Sequence, residues 1–211
     1  MARIGRIGVF GGTFDPPHVG HLIVAQDVVE ALRLDRLLLV PVAEPPHKPG
    51  RTPASADARA RMLEAAVAGD PRMEVSRVEI DRGGPSYTVD TLRWLRGRHP
   101  EDEIHLVVGV DQLRGFARWR EPEEVARLAR LVVLSREGVD PARVAAGVDV
   151  SYRTVPVTRV DVSSSDVRGR IREGRSVRYQ VPEAVRRIIE EEQLYRQGET
   201  APRKGAGALP R

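Results

Sequence analysis

Cysteine is absent from this 211-residue chain. That excludes disulfides, thiolate nucleophiles and cysteine-ligated metals. Aromatic residues are scarce, at 4% with two Trp, four Tyr and three Phe, so each ring needs its own account. No apolar run approaches the roughly 20 residues that span a bilayer, and Met1 to Gly8 has no apolar signal-peptide core. A cytoplasmic location is the expectation. Neither G-x-G-x-x-G nor G-x-x-x-x-G-K-[ST] occurs, so the dinucleotide fingerprint and the P-loop lose support.

What is present is an ordinary globular composition, 41% hydrophobic and 30% charged. The formal net charge is +4, which suits polyanionic ligands. Arg and Glu are interspersed, however, so neither nucleic acid nor a membrane is an expected partner. A homo-oligomer is left open.

Short apolar runs alternate with longer amphipathic ones. Residues 6–10, 36–41, 72–80, 104–108, 131–135 and 152–157 read as strands. Residues 18–32, 55–68, 88–98 and 122–129 read as helices between them, and 164–173 and 182–192 as two closing helices. The alternation predicts an α/β fold, a Rossmann-like doubly wound parallel sheet with a C-terminal helical part. Ligands then belong beyond the carboxyl ends of the strands. One domain is expected over residues 1–197, and the Gly-, Ala- and Pro-rich stretch 198–211 is expected to be a disordered tail. The 42–54 segment, with four prolines plus His47, Lys48 and Arg51, reads as a lid or binding loop.

The segment Gly11-Gly12-Thr13-Phe14-Asp15-Pro16-Pro17-His18-Val19-Gly20-His21 carries the chemistry. Paired glycines at a strand end permit positive φ and remove side chains that would block a phosphate. His18 and His21, three residues apart, share one face at a helix start, where free amides and the helix dipole favour an anion. A metal pair completed by Asp15 lacks a clear fourth ligand, and both histidines as structural polar residues is the other reading. Phosphate binding is preferred, with no metal bound by the protein itself.

This run resembles the signature of the nucleotidyltransferase superfamily with the H-x-G-H motif. A second superfamily element is similar to Val162-Ser163-Ser164-Ser165-Asp166-Val167-Arg168, with Val for the usual Ile and Ser165 for the usual Thr. Between them, Pro45-Pro46-His47-Lys48, Pro85-Ser86-Tyr87-Thr88 and Gly109-Val110-Asp111 resemble segments of the nicotinate-nucleotide adenylyltransferase family. The likeness covers about residues 6 to 196 of the chain.

The resemblance implies adenylyl transfer from ATP to nicotinate mononucleotide, a step of NAD biosynthesis, with Mg²⁺ carried by ATP. It implies His18, His21 and Arg168 as catalytic residues. Gly11, Gly12, Thr13, Phe14, Lys48, Ser163, Ser164 and Ser165 would bind ATP and its phosphates. Asp15, Tyr87, Thr88, Asp111, Trp119, Arg120 and Arg136 would bind the acceptor. From the residues alone, Trp119 sits among charges and is suited to stack on a flat cationic ring, with a half-buried structural Trp as the other reading. Asp111 is either a ribose contact or an N-cap, and Arg136 either meets phosphate or lies on the surface. Trp94 reads as packing. Alternatives are an adenylyltransferase for nicotinamide mononucleotide or phosphopantetheine, a cytidylyltransferase, and a non-catalytic nucleotide sensor.

Overall fold

The apolar runs form strands because their side chains are covered on both faces of one sheet. A computed structural model of the protein describes residues 4–44, 53–135 and 150–196. Strands β1 (Arg6–Gly12), β2 (Arg36–Pro41), β3 (Met73–Val75), β4 (Glu103–Gly109), β5 (Arg130–Ser135) and β6 (Tyr152–Pro156) make a six-stranded sheet in the order β3-β2-β1-β4-β5-β6. Every pairing is parallel. Strand order reverses between β1 and β4, and that break is where a doubly wound sheet holds its ligands.

Alternation along the strands divides the core. Leu106 and Val108 join Ile7, Val9, Leu131 and Val133 on one face, while Val107 and Val132 join Leu37 on the other. The first face is covered by α3 (Val78–Arg82), α4 (Thr88–Arg98), α5 (Val110–Arg114) and α6 (Pro122–Leu128), through Val78, Val89, Leu92, Leu113 and Val125. The second face is covered by α1 (Val19–Leu32) and α2 (Ala56–Val67). Each fully buried Val or Leu here contributes about 1.5–3 kcal/mol. Two last helices, α7 (Ser164–Arg172) and α8 (Glu183–Glu191), pack with α2 around Met62, Val167, Val185 and Ile189. Trp94 packs against the first face, as its sequence context predicts.

One expectation fails. The 72–80 run forms a strand only over Met73–Val75 and then turns into α3. A short apolar run fits a strand or a buried helix equally well by periodicity. Among the described residues β3 is an edge strand paired only with Leu37, Leu38 and Leu39 of β2. Beyond it Val78 and Glu79 turn under the sheet, and Gly83, at φ +69°, ends the helix. The short helix α5 and a 3₁₀ turn at Phe116–Arg118 also occupy a stretch whose sequence has no clear apolar periodicity. The 198–211 tail, and residues 45–52 of the loop, lie outside the described residues.

Candidate active site

The site is built at the tip of β1. Neither Gly11 nor Gly12 uses the positive φ that glycine permits; both belong to the strand, and the left-handed residue of the segment is Phe14 at φ 49°. Gly12 has another purpose, because a Cβ there would sit 2.9 Å from the Phe14 ring. Phe14 is 2% exposed and meets Phe10 and His21 edge-on. A Cβ at Gly11 would meet nothing within 4 Å, so that position opens onto free space where a ligand can approach. Gly20 sits close to its neighbour, since a Cβ would lie 3.1 Å from the His18 ring.

His18 and His21 stack with ring centroids 3.7 Å apart. The His18 amide donates to His21 Nδ1 at 3.1 Å. An imidazole that accepts at Nδ1 carries its proton on Nε2 when neutral, so His21 presents a donor on its far side. Burial, and then the neighbouring His18, lower the His21 pKa to about 3. Both histidines line a cavity of about 350 Å³ with Phe10, Val24, Leu134, Val160, Ser163 and Ser164.

The second sequence motif docks onto the first. Ser163 caps α7 by accepting from the Asp166 amide, and Ser164 donates to the Pro16 carbonyl at 2.8 Å. Arg168 donates to the Asp15 carbonyl at 2.6 Å and to Ser165 Oγ at 3.3 Å. Residues 148 to 153 positions apart are thereby joined. Asp15, expected as an acceptor contact, is 2% exposed, and its carboxylate accepts from the Tyr195 hydroxyl at 2.6 Å. Burial, and then this bond, push the Tyr195 pKa upward. Arg59, 0% exposed, donates to the carbonyls of Thr13, Val42 and Ala43 and holds the cradle beside the start of the next loop.

On the other side of the β1 tip lies a cavity of about 790 Å³ lined by Ser86, Tyr87, Thr88, Asp111, Gln112, Trp119 and Arg120 among others. It adjoins a crevice of about 230 Å³ between the ends of β1, β2 and β4, which includes Gly11, Gly12, Thr13, Glu79 and Thr91. Ser86, Thr88, Gln112 and Trp119 belong to both. Trp119 leans on Phe116 at 5.4 Å and leaves the rest of its ring to the crevice. Thr88 opens α4, whose N-cap Tyr87 makes no side-chain cap, so helix-start amides remain for an anion. Arg120 stacks over Tyr87 at 4.8 Å and pairs with Asp90. Asp111 projects outward and pairs with Arg114 at 3.2 Å.

The structure therefore gathers the predicted residues into two groups on either side of Gly11–Thr13. Lys48 and Arg136 lie outside the described residues. Sequence reasoning missed Gln112, whose Oε1 accepts from the Gly109 amide at 2.9 Å, and also Arg59, Glu79 and Tyr195. A polar residue inside an apolar run was the available signal for Glu79. Arg59 and Tyr195 had none, because distant segments supply their partners.

Comparison with known proteins agrees with this geometry. Residues 9–170 match the model of the cytidylyltransferase-like family. A probable nicotinate-nucleotide adenylyltransferase of Thermus thermophilus is 48% identical over 90% of this chain and 100% of its own. One from Salinibacter ruber is 44% identical over 90% and 97%. The structure of Plasmodium falciparum nicotinic acid mononucleotide adenylyltransferase complexed with NaAD superimposes with a TM-score of 0.75 over 90% of this chain and 97% of that one, at 16% identity, a likeness of fold. On these matches the chain belongs to the cytidylyltransferase-like family and, within it, to the nicotinate-nucleotide adenylyltransferases.

Proposed function

We propose that this protein joins ATP and nicotinate mononucleotide, giving nicotinate adenine dinucleotide and pyrophosphate as a cytoplasmic step of NAD biosynthesis. The observation that carries this reading is that two cavities flank one strand tip, with stacked histidines beside one and Trp119 and Thr88 in the other. A phosphate oxygen of the mononucleotide attacks the α-phosphorus of ATP. The new P–O bond forms as the bond to the β-phosphate bridging oxygen breaks, and pyrophosphate leaves with that electron pair. No protein nucleophile is needed. Catalysis is positioning and stabilisation of charge on the transferring group.

In this reading ATP occupies the histidine cavity, its base against Val24, Leu134 and Val160. The His21 Nε2–H and the His18 ring meet the phosphates over Gly11 and Gly12. Ser163, Ser164, Ser165 and Arg168 stand where the pyrophosphate departs. Imidazoles, hydroxyls and a guanidinium suit phosphate oxygens, and the divalent ion, Mg²⁺, arrives on ATP itself. The nicotinate ring stacks on Trp119, with its carboxylate at Thr88 and the amides that open α4. Asp111, Tyr87 and Arg120 stand at the cavity mouth for the ribose phosphate. Asp15 supports the cradle through its backbone and through Tyr195. All of this lies within one domain running to residue 197.

Pyrophosphate release tests the reading, measured with ATP or CTP against nicotinate mononucleotide, nicotinamide mononucleotide and phosphopantetheine. Release with ATP and nicotinate mononucleotide is expected. A preference for either other acceptor, or for CTP, overturns the assignment, and no release with any pair points to a nucleotide sensor.

A further inference from the structure

The acceptor crevice contains a carboxylate that no group in the described protein balances. Glu79 stands on α3, 6% exposed, and lines the crevice with Gly11, Gly12, Thr91 and Trp119. The Thr91 hydroxyl donates to Oε1 at 2.7 Å. Oε2 is buried with no hydrogen-bond partner, and among the described residues no Lys, Arg or His forms an ion pair with it. Burying a carboxylate without a counter-charge opposes folding, and an unsatisfied buried group of this kind points to a role outside stability.

We propose that Glu79 is a specificity-determining residue that supplies the counter-charge for a cationic acceptor ring. The inference rests on the nicotinate mononucleotide reading and adds to it. That acceptor is a zwitterion at its base, with a positive pyridinium and a negative carboxylate. The crevice has the matching polarity, with the positive end of α4 at Thr88 and a carboxylate at Glu79. Because Oε2 is shielded from solvent, Glu79 acts through its field, which is weakly screened in such a site. A ring of the same size without the positive charge gains nothing from it.

The test compares nicotinate mononucleotide with its 1,4-dihydropyridine form, whose ring is neutral. Wild-type enzyme is expected to favour the pyridinium by about tenfold or more in kcat/KM. Glu79→Gln keeps the Thr91 contact and is expected to erase most of that preference by raising the pyridinium KM, with the KM for ATP unchanged. Thr91→Val removes the hydrogen bond but leaves the carboxylate and is expected to keep the preference. Equal loss on both acceptors in Glu79→Gln, or collapse of the preference in Thr91→Val, overturns the proposal in favour of a structural role. A wild-type preference below about twofold overturns it without any variant, so a misfolded Glu79→Gln protein does not shelter it. No turnover by wild type overturns both the function and this inference, whereas turnover with an unaltered ratio in Glu79→Gln overturns this inference alone.

Discussion

Tyr195 and Asp15 are 180 residues apart, yet the tyrosine hydroxyl donates to the aspartate carboxylate at 2.6 Å. The bond fastens the end of the C-terminal helical part to the loop that precedes the histidines. Arg168 holds the same residue by its carbonyl, and Arg59 holds Thr13 two positions earlier. The cradle is thus clamped from three separate segments, which pre-organises it before any nucleotide arrives.

Tyr195→Phe is expected to lower unfolding free energy by about 1.5–3 kcal/mol, the worth of a hydrogen bond to a charged group. Urea denaturation monitored by circular dichroism measures it. An unchanged midpoint would show that the clamp contributes nothing.

Arg59→Met is expected to be more damaging. Its guanidinium is fully buried and serves the carbonyls of Thr13, Val42 and Ala43, so its removal orphans several acceptors at once, at about 1–3 kcal/mol each. A fall in the thermal midpoint by more than that of Tyr195→Phe is the expected result.

His21→Ala is expected to reduce turnover by about 10² to 10³, the usual loss for one stabilising donor, with near-native circular dichroism. Retention of most activity would remove His21 from the mechanism. His21→Gln, which keeps a donor, is expected to fall between the two.

The pH dependence follows from the same residue. The His21 pKa is lowered in the folded protein to about 3, against about 6.5 unfolded. Between these values the unfolded chain binds a proton that the folded protein refuses. Stability from this group is therefore complete above about pH 6.5 and declines as pH falls towards 3. Urea denaturation at about pH 7 and at about pH 4.5 measures the effect, and equal midpoints would refute it.

Trp119→Ala is expected to raise the acceptor KM about tenfold, the equivalent of about 1.4 kcal/mol, while the KM for ATP stays put. Equal effects on both substrates would place Trp119 in packing alone.

Much of this was legible in the linear chain. Continuous apolar runs separated by helical periodicity specify a covered parallel sheet, because strands buried on both faces do not alternate. Gly11 to His21 and Ser163 to Arg168 were legible as segments suited to phosphate, because helix starts rich in donors are local features that neighbouring residues create. The run after Arg72 was ambiguous, since only the edge position of β3 and the space beneath the sheet make Val78 and Glu79 helical.

What the sequence by itself determined, then, is the course of the long strands and helices, apart from the run after Val75 and the short helix after Gly109, and which side chains suit phosphate. Only the tertiary structure decided that Gly12 makes room for Phe14, that Asp15 answers to Tyr195 and Arg168, and that Glu79 stands in the crevice at the strand ends without a counter-charge among the described residues. Local patterns follow from spacing along the chain. Burial, hydrogen-bond satisfaction and charge balance depend on partners brought from far away, and no window of sequence contains them.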